Sequence, residues 1–280
     1  MSGIESITSP ANPRVKEAAA LRDADARRAA GLTLVDGRRE LARAEAAGIE
    51  IRDVFVAAAA TAAGDAGAAA LASWLSRLAA RGTRVAALSE RAFDRVAFGS
   101  RDEGVVGIVR FGPRPLAATS FAADRPLFVI EGVEKPGNLG AIVRTADAAG
   151  LGGVLVCDAR TDVANPAVIR ASLGTVFAMP LATATTAAAI DWCRTHGRRV
   201  VAATPEGGRA WHEADLRGGV AILLGSEAHG ISPAWSAAAA AGLTIETVRL
   251  PMHGSADSLN LSATAAVLAY EAVRQRDSRP

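Results

Sequence analysis

Residues 127–158 read LFVIEGVEKPGNLGAIVRTADAAGLGGVLVCD. Two short apolar runs, LFVIEG at 127–132 and GVLVCD at 153–158, flank a stretch with helical character. Strands that are hydrophobic at nearly every position are covered on both faces, and a helix joining two of them makes the βαβ unit of a parallel sheet. Within the connection, Gly137 permits a tight turn, Asn138 is expected to cap a helix over residues 139–149, and Gly150 ends it.

The same pattern continues towards the C-terminus in RRVVAAT (198–204), GVAILLG (219–225) and LTIETVRL (243–250), each separated by helix-like sequence. Five such strands predict a mostly parallel sheet with helices on both faces. Ligands on sheets of this kind bind beyond the carboxyl ends of the strands, so the loops that follow them are where chemistry is sought.

Towards the N-terminus, residues 112–126 (GPRPLAATSFAADRP) hold three prolines and no periodicity, and are expected to be an exposed connection. Before them the reading is again α/β. A helix over residues 13–30 is capped by Asn12 and stopped by Gly31, LTLVDG follows as a strand, and a helix from Arg38 ends at Gly48. Strand DVFVAA, a helix over 66–80, strand RVAAL, a short helix opened by Ser89 and strand VVGIVRF complete the unit. The expected organisation is therefore a domain over 1–112, a linker over 113–126 and a second domain over 127–280.

Bulk properties set the limits. The chain has 280 residues and is 50% hydrophobic, much of it Ala, so its core is built from small side chains. Net charge is +2, with 16 basic against 14 acidic residues up to Gly112 and, by difference from 31 and 29, 15 against 15 beyond it. That balance does not announce a polyanion partner. Local clustering still nominates Arg14, Lys16, Arg28, Arg38 and Arg39 as candidate nucleic-acid contacts, set against the plain reading of solvated helix faces. The first residues lack a basic start followed by an apolar run, and nothing marks a membrane span, so a cytoplasmic location is expected. Cys157 and Cys193 lack metal-ligand spacing and read as buried thiols; no metal is expected.

Three segments carry the candidate chemistry. In PGNLGAIVRTADAAG (136–150), Asn138 read alone is a cap and Arg144 a helix surface charge; together, at the carboxyl edge of a sheet, they suit an anion. In LLGSEAHGIS (223–232), a fully apolar strand runs into Glu227, bracketed by Gly225 and Gly230. A carboxylate there either meets a cation or binds a ligand, although an ordinary strand-to-helix turn opened by Ser232 and Pro233 is the simpler reading. LPMHGSADSLNLSATAAVLAYEAVRQR (250–276) is a polar loop followed by a long helix, which Ser258 or Asn260 is expected to cap.

Taken in this order, the three segments resemble the three motifs of the SpoU RNA 2'-O-ribose methyltransferases of the SPOUT class. The ending is most similar to the antibiotic-resistance members that modify large-subunit ribosomal RNA. ITSPANPRVKEAAALRD, LVDGRRELARAEAAG and GVVGIVRF are similar to the substrate-binding domain that precedes the catalytic domain in many members, a fold shared with small RNA-binding ribosomal proteins.

The resemblance implies a parallel sheet closed by a deep trefoil knot, an obligate homodimer whose active site combines both subunits, and S-adenosylmethionine as cofactor. It implies a cofactor site at Thr204, Leu224, Gly225, Leu250, Met252, Leu259 and Asn260, with Leu223 also contributing apolar wall. It implies catalytic roles for Asn138, Arg144, Glu227, Ser258 and Asn260, acting on a ribose 2'-hydroxyl of RNA, with ribosomal RNA expected. A guanidinium stays charged, so Arg144 is read as an electrostatic anchor rather than a proton acceptor. A transfer RNA target, or a non-catalytic RNA-binding protein on the same fold, is the alternative. A nicotinamide-dependent dehydrogenase is disfavoured, because GLGGV near Gly150 has the wrong spacing for G-x-G-x-x-G and leads into a strand.

Overall fold

The computed structural model describes residues 4–62, 66–98 and 104–278. They form two compact units. One comprises the chain up to Gly112 together with Val163–Ala178; the other comprises Pro113–Asp162 and the chain from Met179 onward.

The first unit contains β1 (Glu5–Ile7), α1 (Pro13–Ala20), α2 (Ala24–Ala30), β2 (Leu32–Asp36), α3 (Arg38–Ala46), β3 (Ile51–Ala57), α4 (Ala58–Ala62), α5 (Ala66–Ala80), β4 (Arg84–Leu88), α6 (Glu90–Val96) and β5 (Val105–Arg110). Its sheet has the order β1-β4-β3-β5-β2, parallel across β1, β4 and β3 and antiparallel at β5. The helix expected over 13–30 is two helices. Asp23 breaks it because its carboxylate accepts from the amides of Asp25 and Ala26, capping a second helix instead of continuing the first. Asn12 does cap α1, and Gly31 ends α2 in the left-handed region at φ 63°.

Val163–Ala178, which sequence order assigns to the second half, packs within the first unit. Its helix α8 (the eighth in chain order, Pro166–Ala171) lies against β2, and the buried Thr33 hydroxyl donates to the Ala164 carbonyl at 2.6 Å. The Arg43 guanidinium donates to the Leu173 carbonyl at 2.7 Å, and the rings of Phe111 and Phe177 meet edge-on at 4.9 Å. Nothing in the local pattern of 163–178 states a partner more than fifty residues away.

The second unit contains β6 (Leu127–Glu131), α7 (Pro136–Ala148), β7 (Val154–Cys157), β8 (Leu181–Ala184), α9 (Thr186–Thr195), β9 (Val200–Ala203), β10 (Arg209–Ala210), β11 (Ala221–Leu224), α10 (Pro233–Ala240), β12 (Ile245–Arg249) and α11 (Leu261–Asp277). Its seven strands are all parallel, in the order β10-β12-β9-β11-β6-β7-β8. Both faces are buried, as the continuous apolar runs require. Leu127, Val129, Leu155 and Leu223 pack with Ala189, Ile190, Cys193 and Trp235, while Phe128, Ile130 and Ile222 on the opposite pleat are equally enclosed. β8 and β10 escape a sequence reading because LATA and RA are too short and too small-sided to show a run.

Residues 113–126 are tethered rather than free. Leu116 and Phe121 pack against the second unit's core, and the buried Arg198 donates to the carbonyls of Ala122 and Arg125 at 2.7 and 3.2 Å. Burial lowers the Arg198 pKa, and the ring of Trp192 at 5.3 Å supports its charge. Both cysteines are buried and unbridged; burial pushes Cys157 well up and Cys193 up to about 12. No helix among the described residues is long and apolar enough to cross a membrane.

Candidate active site

The carboxyl ends of β6, β9, β11 and β12 open onto one cavity of about 380 Å³ in the second unit. That volume lies in the range of small-molecule sites. Thr204, Leu224, Gly225, Glu227, Leu250, Met252, Ser258, Leu259 and Asn260 all line it. Leu223 does not. Side chains alternate along a strand, so Leu223 points into the core while Leu224 faces the cavity.

Asn138 is not the cap of α7. Pro136, whose fixed φ and missing amide proton suit the first helical position, starts the helix two residues earlier and leaves Lys135 at the cap position without a side-chain cap bond. Asn138 is thereby released for tertiary use: its amide nitrogen donates to Glu227 Oε1 at 2.6 Å, across 89 residues of chain. Its amide oxygen accepts from Asn260 Nδ2 at 3.1 Å. Asn260 does cap α11, accepting on Oδ1 from the Ser262 amide at 2.9 Å and from the Ser262 hydroxyl at 2.6 Å.

This chain of bonds has one possible sense. A carboxylate only accepts, so Asn138 presents nitrogen to Glu227 and oxygen to Asn260, whose own oxygen must face the amides of α11. Both amide orientations are therefore determined by the charge at one end and the helix N-terminus at the other. Glu227 also accepts from the Glu134 amide at 3.4 Å, placing its negative charge at the N-terminal end of α7. Burial raises its pKa, but the bonds from Asn138 and from main-chain amides of the loop outweigh that and leave it below the ordinary carboxylate value. The two possibilities posed for Glu227 resolve locally into a set of amide donors.

The loop that carries Glu227 closes on itself. Ser226 and Gly230 exchange main-chain bonds at 2.9 and 3.1 Å, and the Ser226 hydroxyl accepts from the His229 amide at 2.9 Å. A Cβ on Gly225 would stand 2.2 Å from the Gly230 carbonyl carbon, so the close approach at the base of the loop requires glycine there. His229 and His253 are exposed and do not line the cavity.

Arg144 lies elsewhere. It is on the exposed surface of α7, does not line the cavity, and its side chain makes no hydrogen bond or ion pair among the described residues. Lys135, Pro205 and Thr264 line the cavity without having been singled out in the sequence, and Asp257, one of the polar groups of the loop before α11, joins them. Lys135 and Pro205 stand just past strand ends, a rule that points to them; Thr264 lies one helical turn beyond Asn260.

The lining suits S-adenosylmethionine. Glu227 and Asp257 in the lining would offer carboxylates to a ligand whose reactive sulfur is cationic, Lys135 would be available for an anionic end, and Leu224, Met252 and Leu259 offer apolar wall. Leu259, 42% exposed, adds its apolar surface to the cavity wall. The described residues contain no group of His, Cys, Asp and Glu able to hold a metal.

Of the basic residues nominated near the N-terminus, Arg14 is taken up internally by Glu5 at 2.5 Å and Asp53 at 2.7 Å. Arg38 packs on the Trp74 ring at 5.9 Å, and Arg39 holds the buried Glu40 at 2.8 Å. Lys16 and Arg28 are exposed, Arg28 with Asp25 at 3.3 Å.

The model of the SpoU rRNA Methylase family matches residues 126–270, and that of the MRM3-like substrate binding domain matches residues 12–107. The 23S rRNA (adenosine(1067)-2'-O)-methyltransferase of Streptomyces laurentii is 33% identical over 202 residues, covering 71% of this chain and 73% of that protein. A crystal structure of an RNA 2'-O ribose methyltransferase superposes with a TM-score of 0.80 at 37% identity, covering 97% of this chain and 99% of the other. An AdoMet-bound rRNA methyltransferase from Sinorhizobium meliloti gives a TM-score of 0.85 at 28% identity, covering 99% of each chain.

Proposed function

The chain belongs to the SpoU rRNA Methylase family, and from that premise we propose that it transfers a methyl group from S-adenosylmethionine to a ribose 2'-hydroxyl of large-subunit ribosomal RNA. The observation that carries this reading is the Asn138–Glu227–Asn260 chain standing at the edge of a cavity sized and charged for the methyl donor.

When bound, the cofactor supplies an electrophilic methyl on a sulfonium, which needs a nucleophile in line with it. The protein's task is then to present and orient the ribose. The ordered amides of Asn138 and Asn260, with Ser258 beside them in the cavity wall, are assigned that task, and their rigidity is what makes alignment effective. Glu227 holds Asn138 in one rotamer and one amide orientation. Leu224, Gly225, Leu250, Met252, Leu259 and Thr204 are assigned to the cofactor.

Arg144 is assigned to a second subunit's site. It has no partner among the described residues of its own chain, and it sits on the helix pair α7 and α11, where Tyr270 is also 54% exposed. A homodimer formed through that pair supplies each cavity with the partner's guanidinium, which anchors phosphate or stabilises the developing alkoxide. The first unit is assigned to recognition of RNA, with the exposed Lys16 and Arg28 as its candidate cations. A knot in the second unit follows from the same family reading.

The test is methyl transfer from labelled S-adenosylmethionine to transcribed large-subunit ribosomal RNA, with the modified position mapped and the ribose analysed. Transfer RNA serves as the competing substrate. Label on a ribose 2'-oxygen of ribosomal RNA is expected; label on a base, or tight cofactor binding with no transfer to either RNA, counts against the proposal. Exchanging the first unit, with Val163–Ala178 included, for that of a relative with a different target is expected to move the methylated nucleotide to that relative's position.

A further inference from the structure

Glu131, the last residue of β6, is 7% exposed, carries a carboxylate, and lies outside the cavity lining. Its two oxygens are shared between two other segments. Oε1 accepts from the Thr186 hydroxyl at 2.8 Å in the first turn of α9, and Oε2 accepts from the Ser232 amide at 2.9 Å just ahead of α10. No cation among the described residues pairs with it, so this acid rests on hydrogen bonds, and a buried carboxylate without a cation is costly to keep.

The Ser232 bond is the informative one. Ser232 holds the cap position of α10, yet its side chain makes no capping bond; its amide is spent on Glu131. It also ends the closed loop 225–231 that presents Glu227. The base of that loop is secured at one end by β11 and the Gly225–Gly230 contact, and at the other by Glu131. The next residue, Gly132, turns in the left-handed region at φ 65°, where an added Cβ would stand 3.1 Å from Ser226 Cβ. Residues 131–132 are thus bonded to the 225–232 loop at Ser232 and lie close beside it at Ser226.

We infer that Glu131 is a positioning residue for methyl transfer, acting through the 225–232 loop to hold Glu227 against Asn138. The inference rests on the role assigned to Glu227 above. Thr186 fixes the Glu131 carboxylate, and is itself fixed by its amide bond to Asp158 Oδ2 at 2.8 Å. The order of dependence runs from α9 to β6, to the loop, to Glu227, and only then to the ribose-orienting amides.

The chemistry of the two donors designs the test. Thr186 can accept as well as donate, so in Glu131→Gln the new amide nitrogen donates to the Thr186 hydroxyl while the oxygen still accepts from Ser232. Glu131→Met has similar length and suits an apolar surrounding, but accepts neither bond. The Met variant is expected to lose about 30-fold in kcat and to bind S-adenosylmethionine several-fold more weakly, since misplacement of about 1 Å can cost ~10²-fold. Its KM for RNA should stay within about twofold, and the Gln variant should recover to within about threefold of wild type.

In a Glu227→Gln background the Met substitution should cost less than about threefold, because residues acting as one unit are not additive. A Met variant with wild-type kcat, a Gln variant as poor as Met, or an undiminished Met effect in the Glu227→Gln background overturns the inference. If the Met variant does not fold, Thr186→Val takes its place, with a drop of about fivefold expected and unchanged turnover counting against it. A wild-type enzyme without methyl transfer defeats the proposed function instead, so the two failures are distinguishable.

Discussion

An Arg144→Ala enzyme is expected to bind S-adenosylmethionine like the wild type and to transfer methyl groups about 10²–10³-fold more slowly. The cavity is complete without Arg144, which explains the unchanged binding. The loss comes from an anion left without its fork of donors. Arg144→Lys should recover less than about a tenth of the activity, because a single ammonium cannot reproduce a bidentate contact; near-full single-turnover activity in that variant would remove the anchoring role.

The same residue tests the shared site. Arg144→Ala and Asn138→Ala subunits, each inactive alone, are expected on mixing and subunit exchange to regain about a quarter of wild-type activity. Half of the random dimers are then mixed, and each mixed dimer holds one intact site. A mixture no more active than its components means that Arg144 serves its own chain or none.

Asp53→Ala is expected to destabilise the first unit by about 3 kcal/mol, measured by denaturant unfolding. The Asp53 side chain is 1% exposed and receives guanidinium groups from Arg14, Arg52 and Arg84, each at 2.7 Å. Removing the one carboxylate leaves three arginines facing each other over a buried hole, with Glu5 and Glu17 as the remaining acidic partners among the described residues. Burial raises the Asp53 pKa, but bonds from Arg84, Arg14 and Arg52 outweigh it, so the folded value lies below the reference of 3.8.

A depressed carboxylate contributes stability that is present above the unfolded pKa and is lost as pH falls through the lower folded value. The wild-type unit should therefore lose this contribution below about pH 4, and the difference between wild type and Asp53→Ala should shrink over the same interval. A stability gap that persists unchanged into strong acid would show that the cost is a cavity rather than a charge.

Arg14 shows how a residue can be read correctly as basic while its intrachain partners stay hidden in the sequence. Sequence places it in a cluster with Lys16 and Arg28; the fold gives it to Asp53, 39 residues away. Asn138 shows the same limit from the opposite side. As an Asn after a Gly at the start of a helix it satisfies every local criterion for a cap, and Pro136 alone displaces it into the first turn. Its partners at 227 and 260 carry no sign of one another in the intervening chain.

The sequence by itself determined the α/β class, the parallel sheet of the second unit, most strand and helix limits, and the three segments from which the site is built. These depend on periodicity, apolar runs and turn residues, which act between neighbours a few positions apart. Only the tertiary structure decided which side chains of those segments meet, that Val163–Ala178 packs with the first unit, that Leu224 rather than Leu223 faces the cavity, and that Glu131 holds the Glu227 loop. Those outcomes depend on hydrogen bonds and packing between residues brought together by sheet order, and sheet order is not written in any local stretch of the chain.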